Sequence, residues 1–89
     1  MDKFEQFIIK QIKEERYVLT VHARKRMAER FISDNDIIEM AKTLKSIKKQ
    51  KDNDTYLLKG LDSWGEQLHV SVAVRENVII NTVFYKEQP

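Results

Sequence analysis

The pattern of apolar and polar residues changes near residue 45. Before this point apolar side chains recur every three or four positions, which predicts helices; after it they alternate, which predicts strands. The first predicted helix covers residues 3–15. Its apolar stripe consists of Phe4, Phe7, Ile8 and Ile12. Tyr17-Val18-Leu19 is interpreted as a short apolar connection.

Two further helices are predicted in the first half. Thr20 is a suitable N-cap for a helix from about Val21 to Phe31. Its apolar stripe is Ala23, Met27 and Phe31. A third helix begins after Ser33, where Ser33 and Asp36 have the spacing of a capping box. The inner face of this helix is Ile37, Ala41 and Leu44.

The second half predicts four strands joined by short turns. The strands are residues 46–51, 55–61, 67–74 and 78–85. Short turns between consecutive strands indicate antiparallel pairing. We therefore expect a single α+β domain over residues 1–89, with two or three N-terminal helices packed on a four-stranded antiparallel sheet.

The turn at residues 75–77 predicts how the last two strands pair. The apolar face would pair Val74 with Val78, Val72 with Ile80 and Leu68 with Phe84. The opposite face would hold Gln67, His69, Ser71, Asn81, Val83 and Tyr85. Pairing of Leu61 with Gln67 would set Lys59 opposite His69. A slip of one residue would exchange the two faces.

Composition excludes several kinds of site. The 89 residues contain no cysteine and two glycines, so thiolate metal sites and Gly-rich phosphate loops are absent. The two histidines lack the spacing of zinc motifs, and no cofactor is expected. No signal peptide or apolar run of membrane-spanning length is visible, which predicts a cytoplasmic protein that does not enter membranes.

Positive charge is concentrated in one segment although the net charge is only +2. Residues 22–51 contain nine Lys and Arg against four Asp and Glu. Such a segment either binds phosphates or is a solvated surface. Lys48 and Lys49 on the first strand fit both interpretations.

The second helix carries the most informative arrangement. His22, Arg26 and Arg30 are four residues apart and form one column beside the apolar stripe. A histidine at this rim suits acid–base chemistry, and arginines bind phosphate with paired N–H donors. Arg24 would extend the cationic surface. The alternative is structural, with a capping histidine and arginines paired with acids.

Two residues of the second half are further candidates. His69 with Lys59 either joins the site or is a half-exposed strand histidine. Trp64, in the predicted turn at residues 62–65, either stacks on a base or covers the edge of the core; the core interpretation is favoured.

The run from His22 to Arg30 resembles the opening motif of domain-of-unknown-function family 4258, which pairs an H-A-x-x-R-M-x-x-R helix with an I-S-x-x-D/E-I/V helix start. Residues 32–37 (ISDNDI) fit the second part. Lys59-Gly60 and the last two strands fit the later pattern, so the resemblance covers roughly residues 17–85. The family commonly has glycine where this chain has Phe31.

This resemblance implies a fold similar to the RelE and barnase-like group, many of whose members are metal-independent ribonuclease toxins paired with an antitoxin protein. It also implies site roles for His22, Arg26 and Arg30. The first hypothesis is therefore a toxin-like endoribonuclease acting on RNA, with a cognate antitoxin as partner. The second is a non-catalytic module that binds RNA or protein, such as an antitoxin-like or phage-encoded regulator. Whether the chain forms a homodimer is left open.

Overall fold

The computed structural model describes residues 2–50 and 54–86. Three helices and five strands follow one another along the chain. They are α1 (Lys3–Lys13), β1 (Tyr17–Leu19), α2 (Val21–Arg30), α3 (Asp34–Lys42), β2 (Ser46–Lys49), β3 (Thr55–Leu61), β4 (Gln67–Val74) and β5 (Val78–Tyr85). The predicted α+β class and the three helices are confirmed.

The sheet differs from the predicted one because it has five strands in the order β1-β5-β4-β3-β2 and is mixed. The expectation of four antiparallel strands is wrong at β1, which pairs in parallel with β5. The Tyr17–Leu19 segment is therefore an edge strand, and not a connection. Its three residues are too few to show a period of two, and its partner lies about 60 positions later in the sequence.

Each helix starts where a polar side chain accepts a hydrogen bond from the first turn. Thr20 Oγ1 accepts from the Ala23 amide at 3.0 Å, as predicted. Ser33 and Asp36 form the predicted capping box at the start of α3. Asp2 does the same for α1 with Glu5.

The helices cover one face of the sheet. Their buried side chains form a single core with the strand residues that face them. The helix residues of this core are Ile8, Ile12, Ala23, Met27, Ile37, Met40 and Ala41; the strand residues are Tyr56, Leu58, Leu68, Val70, Val72, Val78, Ile80 and Val83. Phe4, Phe7 and Phe31 are exposed, so three members of the predicted helix stripes lie outside it.

Phe31 ends α2 in the left-handed region, with φ 56° and ψ 40°. This conformation is the one that glycine adopts most readily, and it costs another residue about 1 kcal/mol. The reversal takes Phe31 off the helix face and leaves it 91% exposed. The next residue, Ile32, returns to the core.

The β4–β5 register contains a bulge between Ser71 and Val72. Val74 pairs with Val78 and Val72 with Ile80, as predicted, but Leu68 lies opposite Tyr85 and not opposite Phe84. The extra residue is Asn81, and it shifts every later residue of β5 by one position. Val83 is consequently buried in the core, and the predicted polar face loses Val83 and Tyr85.

Helix α3 approaches β3 very closely at Gly60. A Cβ added to Gly60 would lie 2.1 Å from the Met40 carbonyl oxygen and 2.9 Å from the carbonyl carbon. The Leu61 amide donates to Thr43 Oγ1 at 2.8 Å just beyond this contact. Because the opposing atoms are backbone atoms, the helix can sit here only against glycine.

We expect Gly60→Ala to lower the free energy of unfolding by about 3 kcal/mol, because α3 must move away from β3. Gly65→Ala is the matched control. Gly65 has φ +83° and nothing within 4 Å of an added Cβ, so this change should cost about 1 kcal/mol of backbone strain. Urea unfolding followed by circular dichroism measures both. Equal losses for the two variants would contradict the packing argument.

Candidate active site on the outer sheet face

The face of the sheet opposite the helices is called here the outer face. Its residues alternate with those of the core along β2 to β5 and pair with one another across the strands. They include Lys48, Leu57, Lys59, His69, Ser71, Thr82 and Phe84. The core cluster contains none of them, so among the described residues no helix covers this face.

His69 is the centre of the outer face. It pairs with Lys59 of β3 on one side, as predicted, and with Phe84 of β5 on the other. Its ring meets the Phe84 ring edge-on, with centroids 4.9 Å apart and planes at 76°. These neighbours leave the side chain only 9% exposed.

Burial lowers the pKa of the His69 imidazole, and the positive charges of Lys59 and Lys86 lower it further. The imidazole is therefore neutral near pH 7 and able to accept a proton. The two lysines that lower the pKa are also cations beside it, which suits a substrate carrying negative charge. A neutral, largely buried base with cations beside it, on a face that the described helices leave uncovered, is a combination suited to phosphodiester chemistry.

Lys86 is a site residue that the sequence interpretation missed. It follows β5 directly, and its amide donates to the Gln67 carbonyl at 3.4 Å, which continues the β4–β5 ladder. Phe84 was missed because the predicted register placed it on the helix side. Both residues lie beyond the bulge at Asn81, whose position the alternating pattern does not reveal.

Helix α2 presents the predicted column beside β5. Thr20 anchors the start of α2, since its amide donates to the Ile80 carbonyl at 3.1 Å and its Oγ1 to the Asn81 carbonyl at 2.9 Å. The helix then packs against β5. His22 is exposed in its first turn, and Arg26 and Arg30 are half-buried.

The guanidinium groups of this column lie at the rim of the core, as predicted. The Nε atom of Arg30 is buried and has no hydrogen-bond partner among the described residues. The Nε atom of Arg26 is also buried. Buried stems with charged ends are restricted in their rotamers, which favours binding of a fixed anion.

The other cationic candidates are dispersed. Lys48 is exposed on the outer face opposite Leu57, whereas Lys49 points to the other side opposite Tyr56. Arg24 is exposed and lines a groove with Glu15 and Asp34. The structure thus groups Lys48, Lys59 and His69 on one face and separates Lys49 from them; Lys51 lies outside the described residues.

The described residues contain no group of three or more His, Cys, Asp or Glu side chains that could hold a metal ion. No helix among them is long and apolar enough to cross a membrane.

The fold is an α+β domain in which three helices cover one face of a mixed sheet and the other face carries a histidine among lysines. Residues 19–85 match the family model described as Domain of unknown function (DUF4258). The match covers most of the chain, so the chain belongs to this family. No curated protein and no solved structure gave a match.

We expect His69 to titrate below its ordinary pKa of 6.5. Lys59→Gln should raise the pKa of His69, because it removes a positive charge that disfavours the imidazolium. Proton NMR of the imidazole in a His22→Gln background measures this directly, since the chain has two histidines. Lys48→Gln, on the same face, is the matched control and should leave the pKa unchanged. A midpoint at or above 6.5 would contradict the assignment of His69 as a neutral base.

Proposed function

We propose that this chain is a small metal-independent endoribonuclease that binds RNA across the outer face. One observation carries the proposal. His69 lies opposite Lys59 on the face that the described helices leave uncovered, and burial together with the charges of Lys59 and Lys86 lowers its pKa. Membership of the family supports the importance of the α2 motif, but it assigns no activity to the chain.

The chemistry needs only the side chains of this face and of α2. The neutral His69 imidazole takes the proton of a ribose 2′-hydroxyl, and the 2′ oxygen attacks the adjacent phosphorus. Lys59 and Lys86 stabilise the additional negative charge of the transition state. The bond to the 5′ oxygen breaks, and this oxygen leaves with a proton from an acid. The products are a 2′,3′-cyclic phosphate and a 5′-hydroxyl.

Helix α2 supplies the remaining groups on this proposal. Arg26 and Arg30 hold a neighbouring phosphate, and His22, exposed in the first turn, is the candidate for the proton donor. The support for this role is the motif on α2, since the helix packs against β5 from the core side and Phe84 lies on the outer face. Arg24 and Lys48 contribute further charge to RNA binding.

The wider context follows from the resemblance to RelE and barnase-like toxins. On this proposal the chain acts in the cytoplasm as a toxin whose activity a cognate antitoxin protein suppresses. The helix layer over a largely antiparallel sheet agrees with that group in outline. A homodimer is compatible with the proposal but not required by it.

A non-catalytic RNA-binding module is the second candidate. It is favoured by the outer face, which carries the exposed Lys48 and the half-exposed Leu57 and Thr82 as well as the histidine. An open face of cations and apolar side chains suits an extended strand of RNA without any cleavage.

We expect the purified chain to cut single-stranded RNA in the presence of EDTA, and His69→Gln to lower the cleavage rate about a hundredfold or more. Lys13→Gln, an exposed lysine of α1, is the charge-matched control for Lys59→Gln and should retain full activity. His22→Ala and Arg26→Ala test the α2 half of the site. Gel analysis of an end-labelled oligonucleotide measures all five variants.

The substrate provides a second control. An oligonucleotide with 2′-deoxyribose throughout should remain intact, because the attacking hydroxyl is missing. Cleavage of the deoxy strand, or full activity of His69→Gln, would refute the mechanism. Salt-dependent binding of RNA that is never cut would establish the binding module instead.

A further inference from the structure

Two aromatic side chains are almost fully exposed. Phe31 is 91% exposed and Trp64 is 86% exposed. The expectation that Trp64 covers the edge of the core is therefore wrong. The two rings come from different turns, yet both line one shallow groove with Ser33, Asn35 and Ser63. Single exposed apolar residues need no explanation, but two aromatic rings brought to one groove do.

The turn that presents Trp64 is held rigidly by a buried carboxylate. Asp62 Oδ1 accepts from the amides of Trp64 and Glu66, both at 2.8 Å. Asp62 Oδ2 accepts from the Tyr85 hydroxyl at 2.9 Å. Burial and then this bond raise the pKa of Tyr85, so the hydroxyl keeps its proton and remains a donor. The backbone beneath the indole is therefore ordered before any ligand arrives.

The start of α3 is bonded to the same turn. Asp36 Oδ1 accepts from the Ser63 amide at 3.0 Å, and Asn35 Nδ2 donates to Ser63 Oγ at 2.9 Å. On the other side of the groove, the Phe31 amide donates to the Met27 carbonyl. Both aromatic residues thus sit on fixed backbone, which reduces the entropy lost on binding a partner.

The charge around this groove is negative. Residues 32–38 and 61–67 contain Asp34, Asp36, Asp62 and Glu66 and no Lys, Arg or His. Burial raises the pKa of Asp36, but hydrogen bonds from Ser33 and Ser63 outweigh it and hold the pKa below its ordinary value. Its carboxylate is therefore ionised at neutral pH. The half-buried Arg30 directly precedes Phe31, and Asp36 is the charged residue that lines the groove itself. This environment repels phosphates and attracts cations.

We propose that the groove between Phe31 and Trp64 is a docking site for a basic segment of a partner protein. An arginine of that segment stacks on the indole of Trp64, and its neighbouring apolar atoms contact Phe31. The ionised carboxylate of Asp36, which lines the groove, attracts the segment, and the exposed Glu66 in the same turn as Trp64 adds to this attraction. His69 is not among the residues that line this groove, and the docking site does not depend on the ribonuclease proposal.

Trp64 is the single tryptophan of the chain, so its fluorescence reports on the groove directly. The probe is a hexa-arginine peptide titrated into the full chain, with hexaglutamate as the charge-reversed control. We expect a saturable change in the Trp64 emission with hexa-arginine and none with hexaglutamate. Hexalysine should bind more weakly, because an ammonium group stacks less well than a guanidinium group.

Variants separate the groove from general electrostatic attraction. Phe31→Asn removes the ring while Asn tolerates the left-handed conformation, so the fold is retained. It should weaken hexa-arginine binding roughly two- to fivefold. Glu66→Gln should weaken it as well. Phe4→Ala removes an exposed aromatic side chain on α1 and should have no effect.

Three results would overturn the proposal. They are an unchanged Trp64 emission with hexa-arginine, equal binding of hexa-arginine by Phe31→Asn and the wild type, and a tighter response to oligouridylate than to hexa-arginine. The last result would make the groove a site for RNA bases.

Discussion

The close approach of α3 to β3 at Gly60 determines where both surfaces of this molecule lie. The Met40 carbonyl occupies the space that a Cβ of residue 60 would fill. This contact fixes the short distance between α3 and the face of the sheet that it covers. Because Thr43 also bonds to Leu61, the end of α3 is tied to the end of β3. The start of α3 is bonded to the turn at residues 62–66, where the Ser63 amide donates to Asp36.

Because the helices pack on one face of the sheet, the polar side chains of the proposed site lie on the other, outer face. The bulge at Asn81 rotates the end of β5, so that Phe84 turns outward against His69 and Val83 turns inward. The extra carbonyl at the bulge is satisfied by Thr20, which is also the N-cap of α2. One irregularity therefore places the aromatic neighbour of His69 and the start of the helix that carries His22, Arg26 and Arg30.

The parts that the sequence predicts are those governed by local rules. The caps at Thr20 and Ser33, the ends of β3, β4 and β5, and the pairing of Lys59 with His69 follow from hydrogen-bonding side chains, alternation and short turns. The first of the predicted strands, over residues 46–51, ends at Lys49 in the structure, and residue 51 lies outside the described residues. The column on α2 follows from helical geometry. The strand β1 was not predictable, because its partner is distant in sequence and the strand is too short for a period.

Other features depend on backbone irregularities that apolar patterns do not reveal. The helical pattern continues through Phe31, although the chain reverses there. The strand pattern continues through Asn81, although the bulge changes the face of every residue after it. Trp64 was expected near the core because it is large and apolar, yet the bonds of Asp62 hold its turn away from the core. Tertiary contacts decide all three positions.

The most direct test of the account is to map where RNA contacts the chain. A short oligonucleotide with 2′-O-methyl groups cannot be cut, so its complex with the wild-type chain is stable during amide NMR measurements. The account predicts that shifts concentrate at outer-face residues such as Lys59 and His69 and along α2, and spare the turn that carries Trp64. Shifts centred on Phe31 and Trp64, with the outer face unchanged, would contradict it.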